Sequence, residues 1–565
     1  MVGSRAPRQT AIVESRSETG EVTRMTGGQA LVGALQQNGV ETVFGLPGVQ
    51  LDWLFNAFHD RKNQIRVMHT RHEQAVGYMA FGYAQATGGV GAYAVVPGPG
   101  VLNTTAALAT AYACNSKVLC LTGQIHSPFI GRGVGQLHEL PDQLGILERL
   151  TKWAARANHP TEVATLAREA FRQMGSGRPR PVALEVPPDV LQMETEVDLG
   201  AAGVPDDPPA PDPDAVARAA KLLGEAERPL IFVGSGAWDA SAELLALAEM
   251  LQAPVICSRH GLGSIDDRHY LAQKQYAGHQ MWATADVVLG VGTRLSPNIP
   301  AWGLDSGLKV IRLDIDPVEI VRNGRPDVGI VATARAGLAA LADAVARVNR
   351  KRDPRADELK AMQARTTAYY EEKLGPQMAW IGAIRRALPE DGILVEELTQ
   401  VGYVSRVGYP VYAPRKHIAS GYQGTLGFGF ATALGVKVAK PDLPVVSITG
   451  DGGFMFNVQE LATAVQNRIN LVTVVFNDGA YGNVQRMQRQ DYGGRVIATE
   501  LRNPDFVRMA ESFGANAVRV ESPAELEAAI GRALKEPAPW LIDAHIGQVP
   551  DPWPILVPGR VRGGK

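Results

Sequence analysis

Short apolar runs alternate along the chain with segments of helical periodicity. The helical pattern is clear at 30–35, and the first apolar runs lie at 41–44, 91–96, 117–122 and 181–186. A second set of runs lies at 229–233, 254–257, 286–291 and 310–315, and a third at 443–449, 471–476 and 540–544. Regular alternation of strand and helix predicts parallel sheets covered by helices, which is an α/β fold.

Two changes of composition divide this pattern into three units. The stretch 196–214 contains five prolines, a composition that favours extended chain, and a charged run opens the stretch 349–375. We therefore expect domains at 25–195, 215–348 and 376–550, joined by these two linkers. Residues 1–24 are polar and predict a disordered extension, and residues 551–565 form a C-terminal tail.

Composition excludes several classes of function. The 565 residues have a formal net charge of -2, so no basic surface for nucleic acid is predicted, and no apolar run is long enough for a membrane span. The three cysteines are too few for a disulfide framework and predict small core residues in a reducing compartment. A cytoplasmic protein that acts on a small molecule is expected.

Polar clusters follow two of the apolar runs in the third unit. Gly450, Asp451, Gly452 and Gly453 come after the run 443–449, and Asn477-Asp478 come after the run 471–476. Consecutive strands of a right-handed crossover converge at their carboxyl ends, so both aspartates can face one cation. Hard oxygen ligands favour Mg²⁺, which completes its shell with phosphate oxygens and water. The alternative is that both clusters are ordinary turns.

The paired clusters resemble the thiamine diphosphate signature, a Gly-Asp-Gly followed further along by Asn-Asn. The resemblance is to the family that includes acetolactate synthase, pyruvate oxidase, benzaldehyde lyase and 2-hydroxyacyl-CoA lyase, and it extends from about Met25 to the end of the third unit. It implies a pyrimidine-binding domain, a central Rossmann-like domain and a diphosphate-binding domain, each a parallel sheet flanked by helices. It also implies thiamine diphosphate and Mg²⁺ as cofactors.

The same resemblance implies the cation ligands. They are Asp451, the side chain at position 478 and the backbone carbonyl of Ala480. The family usually has asparagine where this chain has Asp478. A second carboxylate beside a diphosphate adds like charge, so cofactor binding is expected to depend more strongly on the cation.

Glu73 lies in the motif Arg71-His72-Glu73. In the family that this motif resembles, the glutamate hydrogen-bonds the aminopyrimidine ring of the cofactor and so activates it. Members of that family assemble the site across a dimer interface, with Glu from one subunit and the metal from the other. A homodimer or homotetramer with interfacial active sites is therefore implied. The alternative is a surface ion pair between Glu73 and Arg71.

Further cofactor contacts are implied by position. Leu426, beside Gly424, matches the bulky residue that bends the cofactor, although an ordinary core leucine is the alternative. Pro97 and Asn103 belong to a segment that resembles a Ser-Gly-Pro-Gly loop opening a helix, in which proline has replaced the hydroxyl donor. The remaining candidates for cofactor contacts are Asn477, Tyr481 and Gly482, which belong to the Asn477-Asp478 cluster or follow it.

Three residues are candidates for the substrate side. Gln50 resembles a position that is histidine in benzaldehyde lyase, and His138 falls, across a gap, where that enzyme and acetolactate synthase have glutamine. A histidine there can shuttle the proton of a substrate hydroxyl, whereas the alternative is a histidine satisfied by local hydrogen bonds. Gln124 resembles a family position near the cofactor.

Several departures separate the chain from acetolactate synthase itself. The Arg-Phe-Asp-Asp-Arg segment of that enzyme is replaced by Arg294-Leu295-Ser296-Pro297, and a tryptophan by Met487. Gly234-Ser235-Gly236 resembles a dinucleotide-binding loop but lacks the third glycine. The central domain could therefore bind FAD, ADP or no nucleotide.

The sequence therefore predicts a thiamine diphosphate-dependent transferase or lyase. Its substrates would be 2-keto or 2-hydroxy carbonyl compounds, on which it would act as a carboligase or carbon-carbon lyase. Alternatives are a non-oxidative 2-keto acid decarboxylase and a 2-hydroxyacyl-CoA lyase. A catalytically silent cofactor-binding subunit is the alternative from another class.

Overall fold

A computed structural model describes residues 22–296 and 298–563 of the chain. Residues 1–21, most of the predicted extension, lie outside the described residues. The remaining three residues of that predicted extension are not disordered. They lie in strand β1 (Val22–Thr26), which pairs antiparallel with β8 (Glu194–Asp198). This pairing satisfies the backbone of the segment and joins the two ends of the first domain.

The first domain is a parallel sheet with the strand order β3-β2-β4-β5-β7-β6. Its strands are β2 (Thr42–Gly45), β3 (Arg66–Met68), β4 (Gly91–Val95), β5 (Val118–Gly123), β6 (Trp153–Arg156) and β7 (Val182–Val186). Helices cover both faces: α1 (Gly27–Gln37), α2 (Asp52–Asp60), α3 (Glu73–Thr87), α4 (Pro99–Ala113), α5 (Gln143–Leu150), α6 (Pro160–Gly175) and α7 (Pro188–Gln192).

The central domain is a second parallel sheet, with the order β11-β10-β9-β12-β13-β14. Its strands are β9 (Pro229–Val233), β10 (Val255–Cys257), β11 (Ala272–Gln273), β12 (Val287–Val291), β13 (Lys309–Asp314) and β14 (Val328–Val331). Its helices are α8 (Pro213–Glu225), α9 (Ser241–Leu251), α10 (Gln275–Trp282), α11 (Pro317–Val321) and α12 (Ala334–Val345).

The predicted linker 349–375 is largely helical. Helix α13 (Ala356–Ala387) runs through the predicted boundary at residue 376 into the third domain. Pro376 lacks an N–H donor and its ring crowds the preceding turn, which kinks the helix at Leu374 without ending it. The boundary between the two domains is therefore a continuous, bent helix.

The third domain repeats the architecture with the order β16-β15-β17-β18-β20-β19. Its strands are β15 (Ile393–Glu396), β16 (His417–Ile418), β17 (Val445–Gly450), β18 (Val472–Asn477), β19 (Asn516–Val520) and β20 (Trp540–His545). Its helices are α14 (Gln400–Gly408), α15 (Phe428–Ala439), α16 (Asp451–Phe454), α17 (Leu461–Gln466), α18 (Gly482–Asp491), α19 (Phe506–Phe513) and α20 (Pro523–Ala533).

Helices α3 and α15 join the first and third domains in one hydrophobic core. The ring of Phe428 packs edge-on against Tyr78 and Phe81, with centroids 5.8 and 5.6 Å apart. The backbones approach so closely at Gly82 and Gly435 that a side chain at either position would collide with the other helix. This packing fixes the start of each helix, where Glu73 and the loop carrying Leu426 lie.

The C-terminal tail folds back onto the central domain after a short helix, α21 (Trp553–Leu556). The buried Arg562 guanidinium donates to the carbonyls of Trp282 and Ala285 and pairs with Asp305 at 2.8 Å. Within the described ranges, no helix is both long and apolar enough to cross a membrane.

Candidate active site

The two predicted aspartate clusters meet at the carboxyl edge of the third sheet. Strands β17 and β18 are parallel neighbours, so residues 450–453 and 477–480 emerge side by side. The loop after β16 and the start of α14 after β15 lie at the same edge. Four consecutive strand ends thus build one site, as expected for a ligand in an open parallel sheet.

Three hydrogen bonds hold the Asp451 side chain in place. One carboxylate oxygen accepts from the backbone N–H of Gly452 at 2.9 Å. The other accepts from the Gly479 N–H at 2.9 Å and from the Asn503 amide at 2.6 Å. Burial raises the pKa of Asp451, although these donors act in the opposite direction. The fixed carboxylate bridges β17 to the loop after β18.

Asp478 lies at the rim of the site, with part of its side chain in contact with solvent. Partial loss of water and the negative charge of Asp451 raise its pKa to about 6. Gly482 has no room for a side chain because the Asp478 carboxylate occupies that space. Two carboxylates that repel each other are an arrangement that a cation stabilises.

The donor set fits Mg²⁺. Asp451 and Asp478 offer hard carboxylate oxygen atoms, and a diphosphate and water would complete an octahedron. In the part of the chain that the structure describes, no group of three or more His, Cys, Asp or Glu side chains could hold a metal. Two carboxylates would leave most of an octahedral shell to phosphate and water oxygen atoms, as Mg²⁺ usually has in proteins.

Asn503 is a site residue that the sequence did not reveal. Residues 499–501 pair with 479–481 through the hydrogen bonds Tyr481 N–H to Thr499 O and Leu501 N–H to Gly479 O, both 2.8 Å. This pairing brings the Asn503 amide to Asp451 and to the side-chain Oδ1 of Asn477, to which it donates at 3.0 Å. No sequence signal marks a residue that enters a site through loop pairing.

Glu397 is a second site residue that the sequence did not reveal. Its buried carboxylate accepts from the N–H groups of Gly427 and Gly429, at 2.6 and 2.8 Å, and from the Thr449 hydroxyl at 2.7 Å. Burial raises its pKa to about 7. It ties the loop that carries Leu426 to the end of β17, directly before Asp451. In the sequence, the two adjacent glutamates at 396 and 397 follow the apolar run 393–395, and this pattern could have indicated a site residue.

The other predicted cofactor residues surround this edge. Leu426 is half-buried and lies outside the hydrophobic clusters of the described chain. Gly424 has a φ of 57°, in the left-handed region that favours glycine. The ring of Tyr481 packs so closely over Gly452 that a side chain there would collide with it.

The first domain presents Glu73 at the start of α3. Its carboxylate accepts a 3.0 Å hydrogen bond from the Asn103 amide, so two predicted site residues are in contact. The Arg71 side chain instead donates to Gln466, at 3.2 Å. The buried Glu460 carboxylate accepts from the backbone N–H groups of residues 71 and 72, at 3.1 to 3.2 Å. The third domain therefore holds the segment that precedes Glu73.

Gln50 and His138, far apart in sequence, are in direct contact. Gln50 Oε1 lies 3.0 Å from His138 Nδ1, and Gln50 Nε2 donates to the Leu137 carbonyl at 3.0 Å. Pro97 and Gly123 lie against the Gln50 segment. Gln124 is buried, and its carboxamide oxygen accepts from the next backbone N–H at 2.8 Å.

A cavity of about 680 Å³ lies between the central domain and its neighbours. Gly234 and Gly292 lie at its base, where the ends of β9 and β12 approach without room for a side chain. Basic side chains dominate its charged lining: Arg178, Arg180, Arg259, Arg294, Arg322 and Arg406, against Asp314 and Glu319. Among the described residues, His260 Nε2 is buried there without a hydrogen-bond partner.

Asp478 leads to a prediction about pH. Because its pKa is raised to about 6 in the folded protein, its contribution to stability is present at low pH and is lost as the pH rises through that value. Asp478→Asn should raise the melting temperature of the cofactor-free protein by about 1–2 °C at pH 8, and not at pH 4. Scanning calorimetry at both pH values measures this difference.

The exposed Asp442→Asn is the matched control and should change neither melting temperature. If Asp478→Asn raised the melting temperature equally at both pH values, repulsion between the carboxylates of Asp451 and Asp478 would be contradicted.

Three family models match the chain. They are the thiamine pyrophosphate enzyme N-terminal TPP binding domain over residues 25–146, the central domain over 216–341 and the C-terminal TPP binding domain over 399–544. Each match falls on one of the three sheets described above.

Curated relatives match nearly the whole chain. A probable acetolactate synthase large subunit from Methanocaldococcus jannaschii is 34% identical, over 95% of this chain and 94% of its own length. Acetolactate synthase isozyme 3 large subunit from Escherichia coli K12 is 31% identical, over 91% and 92%. A probable 2-ketoarginine decarboxylase from Pseudomonas aeruginosa is 34% identical, over 89% and 91%.

Proposed function

Because the chain belongs to the thiamine pyrophosphate enzymes, we propose that it makes or breaks a carbon-carbon bond beside the carbonyl of 2-keto or 2-hydroxy compounds. Thiamine pyrophosphate, also called thiamine diphosphate, supplies a nucleophilic carbon and an electron sink for such bonds. The observation that supports this role most strongly is the convergence of Asp451 and Asp478 at adjacent strand ends.

In this proposal Asp451, Asp478 and the Ala480 carbonyl would hold Mg²⁺, and the backbone of Gly450–Gly453 would hold the diphosphate. Asn503 holds Asp451 through a 2.6 Å hydrogen bond, which would orient this carboxylate toward the cation. Leu426, on the loop that Glu397 anchors, would contact the cofactor.

Glu73 is proposed to hydrogen-bond the aminopyrimidine ring of a cofactor bound to a second subunit. Apolar side chains support this arrangement because they are exposed beside both halves of the site. Val49, Leu102 and Leu137 are exposed near Gln50, Asn103 and His138 in the first domain. In the third domain the exposed set is Met455, Phe456, Val484 and Met487. Such surfaces are covered in an assembly, so a homodimer or homotetramer is proposed.

A 2-keto acid decarboxylase is the second candidate. The relative from Pseudomonas aeruginosa is called a probable 2-ketoarginine decarboxylase and is as similar to this chain as the synthase from Methanocaldococcus jannaschii. Both reactions would break a bond beside the carbonyl, and a proton would complete a decarboxylation whereas a second carbonyl compound would complete a carboligation. The chemistry of Asp451 and Glu73 is common to both candidates.

For the central cavity we propose a nucleotide with a diphosphate group, such as FAD or ADP. The excess of arginines, and His260 Nε2 without a partner among the described residues, suit an anionic ligand. An absorbance scan of the purified protein distinguishes flavin from ADP. FAD or ADP should raise the melting temperature of protein freed of nucleotide, whereas no rise with either would contradict the proposal.

The reaction is tested by incubating the protein with thiamine diphosphate, Mg²⁺ and candidate substrates. Pyruvate, other 2-keto acids, benzoin, cyclic diketones and 2-hydroxyacyl-CoA compounds cover the alternatives, and mass spectrometry identifies the products. A product that forms only with both cofactors supports the proposal. A product whose yield is unaffected by removing thiamine diphosphate would contradict it.

A further inference from the structure

The contact between Gln50 and His138 has a defined polarity. Gln50 Nε2 lies 3.0 Å from the carbonyl oxygen of Leu137, which can only accept a hydrogen bond. The end of the carboxamide that faces Leu137 must therefore be the NH₂ group. Consequently, the end that lies 3.0 Å from His138 Nδ1 is the carbonyl oxygen.

This polarity fixes the tautomer of the histidine. A carboxamide oxygen only accepts, so His138 Nδ1 must carry the proton that it donates to Gln50. In the neutral ring the other nitrogen, Nε2, is then unprotonated and can accept a proton. Gln50 is buried whereas His138 is half-buried, so the partner that sets the tautomer is the better fixed of the two.

Hydrogen bonds also hold the backbone next to His138. His138 has a φ of 68°, a left-handed conformation that costs energy for a residue with a side chain. The neighbouring Glu139 carboxylate accepts from the N–H groups of Gly133, Gly135 and Gln136, at 3.0, 2.7 and 2.9 Å. These three bonds close the glycine-rich loop and maintain the strained conformation next to them.

We infer that Gln50 is a positioning residue that holds His138 as the Nδ1–H tautomer, so that Nε2 exchanges a proton with the hydroxyl group of the substrate. The inference rests on the proposed function. During cleavage the substrate O–H bond breaks and an N–H bond forms at Nε2, which leaves an imidazolium whose Nδ1–H still donates to Gln50. During addition the same proton returns to the substrate oxygen.

Nitrogen NMR of protein labelled with ¹⁵N-histidine tests the tautomer without any substrate. The signal that disappears in His138→Gln identifies His138, and in the wild type it should show a protonated Nδ1 and an unprotonated Nε2 at neutral pH. Gln50→Met, which removes the acceptor, should shift the population toward Nε2–H. Gln50→Glu restores an acceptor and should restore Nδ1–H. A wild-type ring protonated at Nε2 alone would overturn the inference.

A double-mutant cycle tests the consequence for turnover, with the substrate identified by the mass screen. Gln50→Met should lower kcat by about 10- to 100-fold, because its effect passes through a general acid-base group. In the His138→Gln background the same change should cost less than about threefold, since residues that act through one another are not additive.

The exposed Gln37→Met is the matched control and should leave kcat unchanged in both backgrounds. Equal losses from Gln50→Met with and without His138 would refute the positioning role. If no substrate is turned over, the proposed function fails, yet the NMR result still decides the tautomer.

Discussion

Glu73→Gln is expected to reduce turnover by at least about 100-fold while thiamine diphosphate binds almost as before. Glutamine keeps the size and the hydrogen-bonding oxygen of the side chain, but it cannot hold or supply a proton to the aminopyrimidine ring. The contact with the Asn103 amide, 3.0 Å in the wild type, survives the change because the carboxamide oxygen still accepts. Steady-state kinetics and calorimetric titration with cofactor and Mg²⁺ measure the two effects separately.

Glu41→Gln is the matched control, because Glu41 is an exposed glutamate of the same domain. It should leave both turnover and affinity unchanged. Full activity of Glu73→Gln would eliminate the proposed role of Glu73, and loss of affinity without loss of kcat would make that residue a binding group only.

Asp451→Asn is expected to weaken thiamine diphosphate binding by more than about 100-fold. Mutation of a residue that only hydrogen-bonds a metal ligand already lowers metal affinity by about 10- to 100-fold, and Asp451 is a proposed ligand itself. The substitution removes a charge from the cation site. In the wild type both carboxylate oxygens accept hydrogen bonds, from Gly452, Gly479 and Asn503. The NH₂ group of asparagine would therefore face at least one hydrogen-bond donor. Titration with cofactor at several Mg²⁺ concentrations measures the loss.

The exposed Asp442→Asn serves as the control for removing one negative charge from the third domain. Melting curves without cofactor separate a binding defect from a folding defect. A buried donor left without an acceptor should lower the free energy of unfolding by about 1–3 kcal/mol. If Asp451→Asn binds the cofactor with wild-type affinity and Mg²⁺ dependence, the diphosphate site lies elsewhere.

Residues that follow apolar runs could be placed from the sequence. The runs 443–449 and 471–476 became adjacent parallel strands, and Asp451 and Asp478 therefore meet as predicted. The physical reason is that strand order and crossover handedness leave few places for the residue after a strand. Three sheets followed from the same pattern, whereas the family was indicated by the resemblance of the motifs at 450–452 and 477–478.

Contacts made by returning loops could not be placed in this way. Asn503 reaches Asp451 because its segment pairs with the loop after β18, and His138 reaches Gln50 from a segment with a left-handed residue. Glu397 is buried by tertiary packing of three strand ends. Each depends on a long-range approach that local periodicity does not encode. Helix α13 crossed its predicted boundary because tertiary packing tolerated the kink before Pro376.

The most direct test of the whole site combines two disabled chains. Glu73→Gln and Asp451→Asn subunits, each inactive alone, are co-expressed with different tags, and the hetero-oligomer is purified and assayed with thiamine diphosphate and Mg²⁺. If Glu73 acts on the cofactor held by the partner's third domain, one site in two is intact and about half of the wild-type activity per oligomer returns. A hetero-oligomer that forms but stays inactive would contradict a site assembled from two subunits.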